Sequence, residues 1–441
     1  VSIADISGAD GSRRARPDAC PGALQVHEAA DGPLARIRLP GGAISADRLR
    51  ELADCATDLG SGVIELTSRA NVQVRGLRSP AAFAERIAAA GLLPSAAHER
   101  VRNIVASPLG GRGPDGLLDT QPVVEALDRA LCARPRLAGL PGRFLFAVDD
   151  GTGDMRGLGA DVTFVPVTAA GRVSRGRLLL AGSDAGLTVP VDSAVQHLIA
   201  AAAAFLDERE RGLADSDRAA WRIGELKDGP ARIAARLGTE SGLDLLPAAA
   251  AQESQDPGAP VRESRDIVPD ASARESRDVV QVGPVLHAGR VGQRNGRVAL
   301  EAVVPLGRLT AAQAHAIAHE AVPVRFTPWR TVVLLDLSSA AADRAARVLE
   351  AAGLVTDPAS PWVGVSACTG RPGCAKSLAD VQEDARRWVA TLDGPPATPV
   401  HWAGCERRCG LPRGQVVQMV ATADGYTTDG LAVGGHQERQ Q

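Results

Sequence analysis

Four cysteines carry the plainest chemistry in this sequence. Cys368 and Cys374 stand in the word Ala367-Cys368-Thr369-Gly370-Arg371-Pro372-Gly373-Cys374, and Cys405 and Cys409 in Gly404-Cys405-Glu406-Arg407-Arg408-Cys409-Gly410. The first pair is separated by five residues and the second by three. A cubane iron–sulfur cluster needs one thiolate on each of four irons, commonly supplied by two short loops. The glycines and Pro372 let the backbone close around such a group. Tetrahedral zinc prefers tighter knuckles, so the five-residue spacer fits it poorly. The plainer readings are buried structural cysteines or disulfides; the pairing of four of the seven cysteines in one short stretch weighs against them. Cys20, Cys55 and Cys132 are scattered and read as structural.

Cations form the second constellation. In Thr67-Ser68-Arg69-Ala70-Asn71-Val72-Gln73-Val74-Arg75 polar and apolar residues alternate. A strand there puts Arg69, Asn71, Gln73 and Arg75 on one face, which is either a solvated face or an anion site. Arginine binds carboxylates in bidentate pairs, so an anionic, many-carboxylate ligand is the chemistry such a row suits. Arg102-Asn103-Ile104-Val105 and Leu140-Pro141-Gly142-Arg143-Phe144 place further cations, Arg102 and Arg143, in the first half. Near the cysteines, Lys376, Arg408 and Arg413 are candidate partners for carboxylates or for the cluster's charge. His315 and His319 stand four apart on a predicted helix, a spacing that binds metal when a third ligand is near. No such ligand word accompanies them, and they read as helix surface.

These side chains need a frame, and the 441-residue chain repeats one. In the first half a strand at 35–39 is followed by a helix from Ser45, its N-cap, then a strand pair in 62–77 and a helix at 80–90. The second half repeats the order: a strand at 298–304, a helix opening at Thr310, the turn Thr327-Pro328-Trp329-Arg330, a strand at 331–337 and a helix at 340–352. Ala90-Gly91-Leu92-Leu93 returns as Ala352-Gly353-Leu354-Val355. Strand–helix–strand–helix units of this size predict an α+β fold of two small half-domains, each followed by a larger α/β segment, around a pseudo-twofold axis. The expected domains are a flexible tail at 1–18, half-domain 1 at 19–95, an α/β domain without a cluster at 96–247, a linker at 248–288, half-domain 2 at 289–358, and a cluster-bearing α/β domain at 359–441. The linker is rich in Ser, Asp, Glu, Arg and Pro, holds RESRD twice, and is expected to be disordered.

The bulk composition excludes some classes. A net charge of −3 gives no basic field for nucleic acid. No apolar run approaches the roughly 20 residues of a membrane span, and the first residues have no signal-peptide core. The expectation is a cytoplasmic protein, where thiols stay reduced.

The two cysteine pairs, lying after the second copy of a duplication, resemble the sulfite and nitrite reductase haemoprotein superfamily. The resemblance implies two ferredoxin-like half-domains and a 4Fe–4S cluster on Cys368, Cys374, Cys405 and Cys409, with Cys409 bridging to sirohaem iron in the reductases. It also implies that an arginine and a glutamine of the strand carrying Arg69, Asn71, Gln73 and Arg75 lie at a tetrapyrrole, and that Arg102, in its word with Asn103, faces an anionic ligand; Arg143 and Lys376 are further candidate binding residues. Cys20-Pro21-Gly22, Asp31-Gly32, Arg36-Ile37-Arg38-Leu39-Pro40-Gly41-Gly42 and His401-Trp402-Ala403-Gly404-Cys405-Glu406-Arg407-Arg408-Cys409-Gly410 are similar to the precorrin-3B synthases, the aerobic cobalamin-pathway branch. That branch implies precorrin-3A and dioxygen as substrates, an electron donor that the sequence does not identify, and a non-haem iron. No ligand word for that iron is visible: His401 is a weak candidate, with orienting the cluster loop its favoured role, and no catalytic residue is named. The chain departs from the reductases where they carry two catalytic lysines, having Arg143 and Leu145 instead. Leucine neither binds nor protonates an oxyanion, which argues against a sirohaem sulfite or nitrite reductase, the alternative function. Ser107 takes the first-half position equivalent to Cys368.

Overall fold

Residues 20–169, 172–215, 219–241 and 288–429 are described by the computed structural model. The expected tail at 1–18 and all but the last residue of the expected linker at 248–288 lie outside them.

Alternation builds the first sheet. Its strands are β1 (His27–Ala29), β2 (Gly32–Ile37), β4 (Val63–Leu66) and β5 (Val72–Val74); β3 (Ala43–Ile44) belongs elsewhere. Ala35 and Ile37 of β2 and Val72 and Val74 of β5 enter the core. Arg36 and Gln73 fall on the opposite face and are direct cross-strand partners. Helix α1 (Ala46–Leu59) starts where predicted, with Ser45 Oγ accepting from the Arg48 N–H. Helix α2 (Pro80–Ala89) stops before Gly91, whose φ of 70° favours glycine.

The second half repeats this with β11 (Gly289–Gly292), β12 (Val298–Val303), β13 (Arg308–Thr310), α6 (Ala311–His319), β14 (Val324–Phe326), β15 (Thr331–Leu337) and α7 (Ser339–Ala351). The sheet orders are β1-β2-β5-β4-β13 and β11-β12-β15-β14-β3. Each half therefore lends one short strand to the other's sheet, and one apolar core runs through both. The halves touch at Gly42, where a Cβ would sit 1.9 Å from the Phe326 carbonyl oxygen. Any side chain there would force the sheets apart. His315 pairs with Asp54 of α1 at 3.0 Å, so it serves this helix contact.

Each half is followed by an α/β layer. The first contains β6 (Ile104–Ala106), α3 (Thr120–Cys132), β7 (Phe146–Val148), β8 (Val162–Ala169), β9 (Arg172–Leu180), β10 (Ser183–Pro190), α4 (Ala194–Asp215) and α5 (Gly229–Ser241). Its strands β6, β7 and β8 are parallel, and β9 and β10 continue antiparallel. The Ala-rich run 198–206 is a buried part of α4. The second contains β16 (Val365–Ala367), α8 (Val381–Val389), β17 (Val400–Ala403), β18 (Val417–Thr422) and β19 (Gly425–Asp429). Again three parallel strands end in an antiparallel one. Among the described residues no helix is long and apolar enough to cross a membrane.

Candidate cluster and anion-binding site

The two cysteine loops leave the C-terminal ends of adjacent parallel strands, β16 and β17, where open α/β sheets place ligands. The Cys368 N–H donates to the Trp402 carbonyl at 2.9 Å, and the Gly404 N–H points at Cys368 Sγ at 3.2 Å. The Leu378 N–H donates to the Gly404 carbonyl at 2.8 Å, tying one loop to the other. Gly404 has no room for a side chain: a Cβ would lie 1.9 Å from Ser377 Oγ.

His401 is buried beneath these loops. Its Nε2–H donates to the Cys409 carbonyl at 3.2 Å, and its Nδ1 accepts from Ser366 Oγ at 2.9 Å. Burial, then the neighbouring Arg330, push its pKa down to about 3. Both ring nitrogens are engaged, so His401 is a neutral clip on the cysteine loop.

The four thiols share one space. Burial raises Cys368 and Cys409 above the ordinary thiol range; Cys409 and Cys374 add to the first shift, Cys405 and Cys374 to the second. Among the described residues no three cysteine sulfurs lie within 4.8 Å of one another. A single tetrahedral zinc would need sulfurs about 3.8 Å apart. Four mutually repelling thiols on glycine-rich loops that backbone bonds tie together fit a cationic iron–sulfur core. Cys368, Cys374, Cys405 and Cys409 would hold it.

Both halves grip these loops. Arg75 pairs with Asp31 through two bonds of 2.8 and 2.7 Å, and its Nη2 also donates to the Gly373 carbonyl at 2.6 Å. Arg330 donates to the Gly410 carbonyl at 2.5 Å. Across the polar face of the first sheet runs one row of neighbours, Arg36, Gln73, Glu65 and Arg308, from four strands. Gln73 accepts from Arg36 Nη2 at 3.0 Å and donates to Glu65 at 2.6 Å; Arg308 donates to Glu65 at 2.7 Å.

Beside this row lie Arg38 and Arg69, arginines whose hydrogen bonds go to backbone carbonyls. Arg38 is 3% exposed, yet only its Nη2 has partners, the carbonyls of Pro21 at 3.1 Å and Arg100 at 3.2 Å. Its Nε and Nη1 are buried with none. Burial, then Arg36, hold its pKa well below the ordinary range. Arg69 donates to the Gly142 carbonyl at 3.1 Å. Burial, then Arg222, lower its pKa to about 10. Arg222 is anchored on Asp161 at 2.6 Å and on the Gly159 carbonyl. Like charges held this close cost energy unless an anion joins them.

The predicted binding residues separate into different roles. Of the predicted row only Gln73 lies within β5; Arg69 and Asn71 precede the strand and Arg75 follows it. Thr67 Oγ1 accepts from the Arg69 and Asn71 N–H groups, and Ala70 takes a φ of 54°, so a turn interrupts the alternation before Val72. Asn71 and Asn103 are buried braces: Asn71 accepts from the Leu39 N–H at 2.9 Å and donates to Asn103 Oδ1 at 3.1 Å, and Asn103 donates to the Gly142 carbonyl at 3.0 Å. Arg102 is closed by a bidentate pair with Asp128, both bonds 2.7 Å. Arg143 is exposed and stacks on Trp221 at 4.7 Å. Lys376 is exposed, Arg408 donates to Gln418 at 3.0 Å, and Arg413 lies over Gly159. Arg36, Arg38 and Arg222 were not among the predicted site residues. Arg36 and Arg38 had a signal, since they alternate with Ile37 and Leu39 and had to face away from the core. Arg222 had none.

Leu145 is buried with Ala70, Val105, Ala147, Met155 and Ala160. The position that holds a catalytic lysine in the resembled reductases is thus part of an apolar plug.

The duplicated copy of the site has diverged. Ser107 follows β6 as Cys368 follows β16, and the loop after β7 carries Asp149, Asp150 and Asp154, whose carboxylates come within 4.8 Å of one another. They accept from backbone N–H groups and from the Ser107 and Thr152 hydroxyls. In the second sheet the equivalent row is Glu301, Val333, Arg325 and Ala43. Burial raises Glu301 to about 8, offset by the Thr331 hydroxyl and reinforced by Asp154. The folded protein therefore holds a proton there that the unfolded chain gives up near the ordinary 4.5. Stability falls as pH rises from that value through about 8. Glu301→Gln keeps the acceptor for Thr331 and removes the titration. Its melting temperature should match the parent in mild acid and exceed it in mild alkali, by a stability gain on the order of 2 kcal/mol. Parallel melting curves across pH would refute this.

Reciprocally exchanged strands, paired α/β layers and a cysteine quartet in one copy only make a sulfite/nitrite reductase-type fold, and the chain is similar to proteins of that superfamily. Residues 27–82 match the nitrite/sulfite reductase ferredoxin-like half domain. The chain is 28% identical over 436 residues to the ferredoxin–nitrite reductase of Synechococcus elongatus, covering 91% of this chain and 79% of that one. It is 26% identical over 425 residues to a precorrin-3B synthase of a Sinorhizobium species, covering 95% and 83%. A ferredoxin sulfite reductase of Mycobacterium tuberculosis is 27% identical over 433 residues, with 91% and 73% covered. In fold it resembles the NirA protein of Mycobacterium tuberculosis, with a TM-score of 0.69 at 24% identity over 90% of this chain and 73% of that one.

Proposed function

We propose that this chain is a precorrin-3B synthase: it hydroxylates precorrin-3A, with dioxygen, at the meso carbon between rings A and D, and a ring A acetate then closes a γ-lactone. The observation that carries this reading is the pairing of unneutralised Arg36, Arg38 and Arg69 with the apolar plug at Leu145. A substrate with many carboxylates finds fixed cations, and a small oxyanion finds no lysine to protonate it.

The chain's residues then bind and position. Arg36, Arg38 and Arg69 receive carboxylates at donors that are desolvated and already oriented, which lowers the ordering cost of binding. Leu145 and its neighbours keep water from that side. Arg75 and Arg330 hold the cluster loops against the sheets. When bound, the cluster supplies electrons, delivered by a donor protein. A non-haem iron would activate oxygen; the carboxylates of Asp149, Asp150 and Asp154 are engaged by their own loop, and no residue is assigned to that iron.

A sirohaem sulfite or nitrite reductase is the second reading. It is favoured by the position of Cys409, the one exposed residue of the four although its thiol is partly desolvated: a cysteine at the open side of the loops suits a bridge to haem iron. The absorbance spectrum of purified protein, with iron and sulfide counts, separates the two. A broad iron–sulfur shoulder without haem bands, and oxygen-dependent conversion of precorrin-3A, are expected. A Soret band with sirohaem bands would overturn the proposal.

A further inference from the structure

We propose that Arg330 sets the reduction potential of the cluster: its guanidinium is a buried positive charge, matched by no carboxylate and held against the Cys409 loop, and it favours the reduced, more negative state. The inference rests on the cysteine quartet holding a cluster and is independent of the substrate.

Arg330 closes the turn Thr327-Pro328-Trp329-Arg330. The first half builds the same turn at Thr67-Ser68-Arg69-Ala70. The Thr327 and Thr67 N–H groups donate to the carbonyls of Thr331 and Asn71 at 3.0 and 2.9 Å, and the Arg330 and Ala70 N–H groups return to the Thr327 and Thr67 carbonyls at 3.1 Å each. The fourth residue is left-handed in both copies, with φ of 63° at Arg330 and 54° at Ala70. A bulky residue is strained there. Alanine suffices for the turn in the first copy, so the turn itself does not call for the long cation in the second.

The side chain has a path to the cysteines. It crosses Gly307, where a Cβ would lie 2.5 Å from Arg330 Cδ. It ends at Gly410, where a Cβ would lie 2.8 Å from Arg330 Nη2 and 4.0 Å from His401 Cε1. Nη2 donates to the Gly410 carbonyl at 2.5 Å, one residue beyond the carbonyl that His401 holds. Covalent geometry then keeps that nitrogen within about 12 Å of the Cys409 sulfur, whatever the conformation of the loop.

The charge is unmatched. Arg330 is buried, and among the described residues no carboxylate pairs with it. Glu65, whose field reaches it, is already bonded to Arg308 at 2.7 Å. Arg75, the other arginine on the cysteine loops, differs. It reaches the Gly373 carbonyl as half of a bidentate pair with Asp31, so its charge is cancelled where it stands.

Reduction adds one electron to the cluster, taken from the donor protein, which is oxidised by one. A fixed positive charge about 12 Å away, at an effective dielectric of about 20, shifts that equilibrium about tenfold. For one electron this is about 59 mV. A shorter separation shifts it further, and burial limits screening by salt.

The test is the midpoint potential of the cluster-loaded protein, titrated with dithionite and redox mediators and read by EPR of the reduced cluster, alongside iron and sulfide counts. Arg330→Gln removes the charge and keeps an N–H donor; Arg330→Lys keeps the charge and loses the planar donor set. Arg330→Gln should make reduction at least about tenfold less favourable, and Arg330→Lys should stay within about twofold of the parent. Arg75→Met combined with Asp31→Asn removes a matched pair from the same loops and should shift the equilibrium less than about threefold. Equal shifts in Arg330→Gln and Arg330→Lys, no shift in either, a tenfold shift in the paired variant, or loss of the cluster from both Arg330 variants would overturn the inference. A parent without iron and sulfide would overturn the cysteine assignment, and the inference with it.

Discussion

Cys374→Ser should purify as a folded protein with neither cluster nor turnover. A serine hydroxyl does not ionise near neutral pH, so one iron would lose its anionic ligand, and three thiolates cannot saturate four iron sites. The fold should tolerate the change. Cys374 is absent from the apolar core of its layer, and its N–H bond to the Gly370 carbonyl at 2.9 Å does not involve the side chain. The Gly373 carbonyl also keeps its contact with Arg75. Iron and sulfide should fall to background, the EPR signal of the reduced cluster should vanish, and activity should drop more than about a hundredfold. Cys132→Ser, placed on a helix away from the loops, should leave all three unchanged. An intact cluster by EPR in Cys374→Ser would show that the quartet is misassigned.

How much of this was legible in the sequence follows from the range of each interaction. The meeting of the two cysteine loops was, because each is a local word that directly follows a strand. The duplicated half-domains were, because each helix and strand carries its own periodicity and caps: Ser45 and Thr310 both cap where predicted. The exchange of β3 and β13 was not. A strand of two or three residues has no pattern of its own, and its partner lies in the other half. The polar row was half legible. Alternation correctly put Gln73 and Arg75 away from the core, but the Thr67 hydroxyl bonds that turn Arg69 off the strand are local side-chain chemistry that alternation ignores. Arg102 read as an open cation because its partner, Asp128, sits on a helix twenty-six residues away. Arg38 looked like part of a strand word. Only burial shows that it has two donors and nothing to bind.

Arg38→Met should leave the ligand-free protein as stable as the parent or more so, while polycarboxylate binding collapses. In the parent, a charge 3% exposed sits beside Arg36 with two donors unpaired. Replacing buried charge by an apolar side chain of similar length commonly gains about 1–4 kcal/mol. Against this stands the loss of one Nη2 donor shared by the Pro21 and Arg100 carbonyls, a cost of about 1 kcal/mol. The balance is zero or favourable, so the melting temperature should hold or rise by a few degrees. Binding follows the opposite sign. A carboxylate already stripped of water would lose its charged partner, at a cost of about 2–5 kcal/mol, or at least about thirtyfold in affinity. Uroporphyrin titration and a melting curve on the same sample read the two effects together. A purely structural arginine would give the reverse: a lower melting temperature and unchanged affinity. Only a residue whose charge is kept for an absent anion should cost stability when the site is empty and affinity when it is removed.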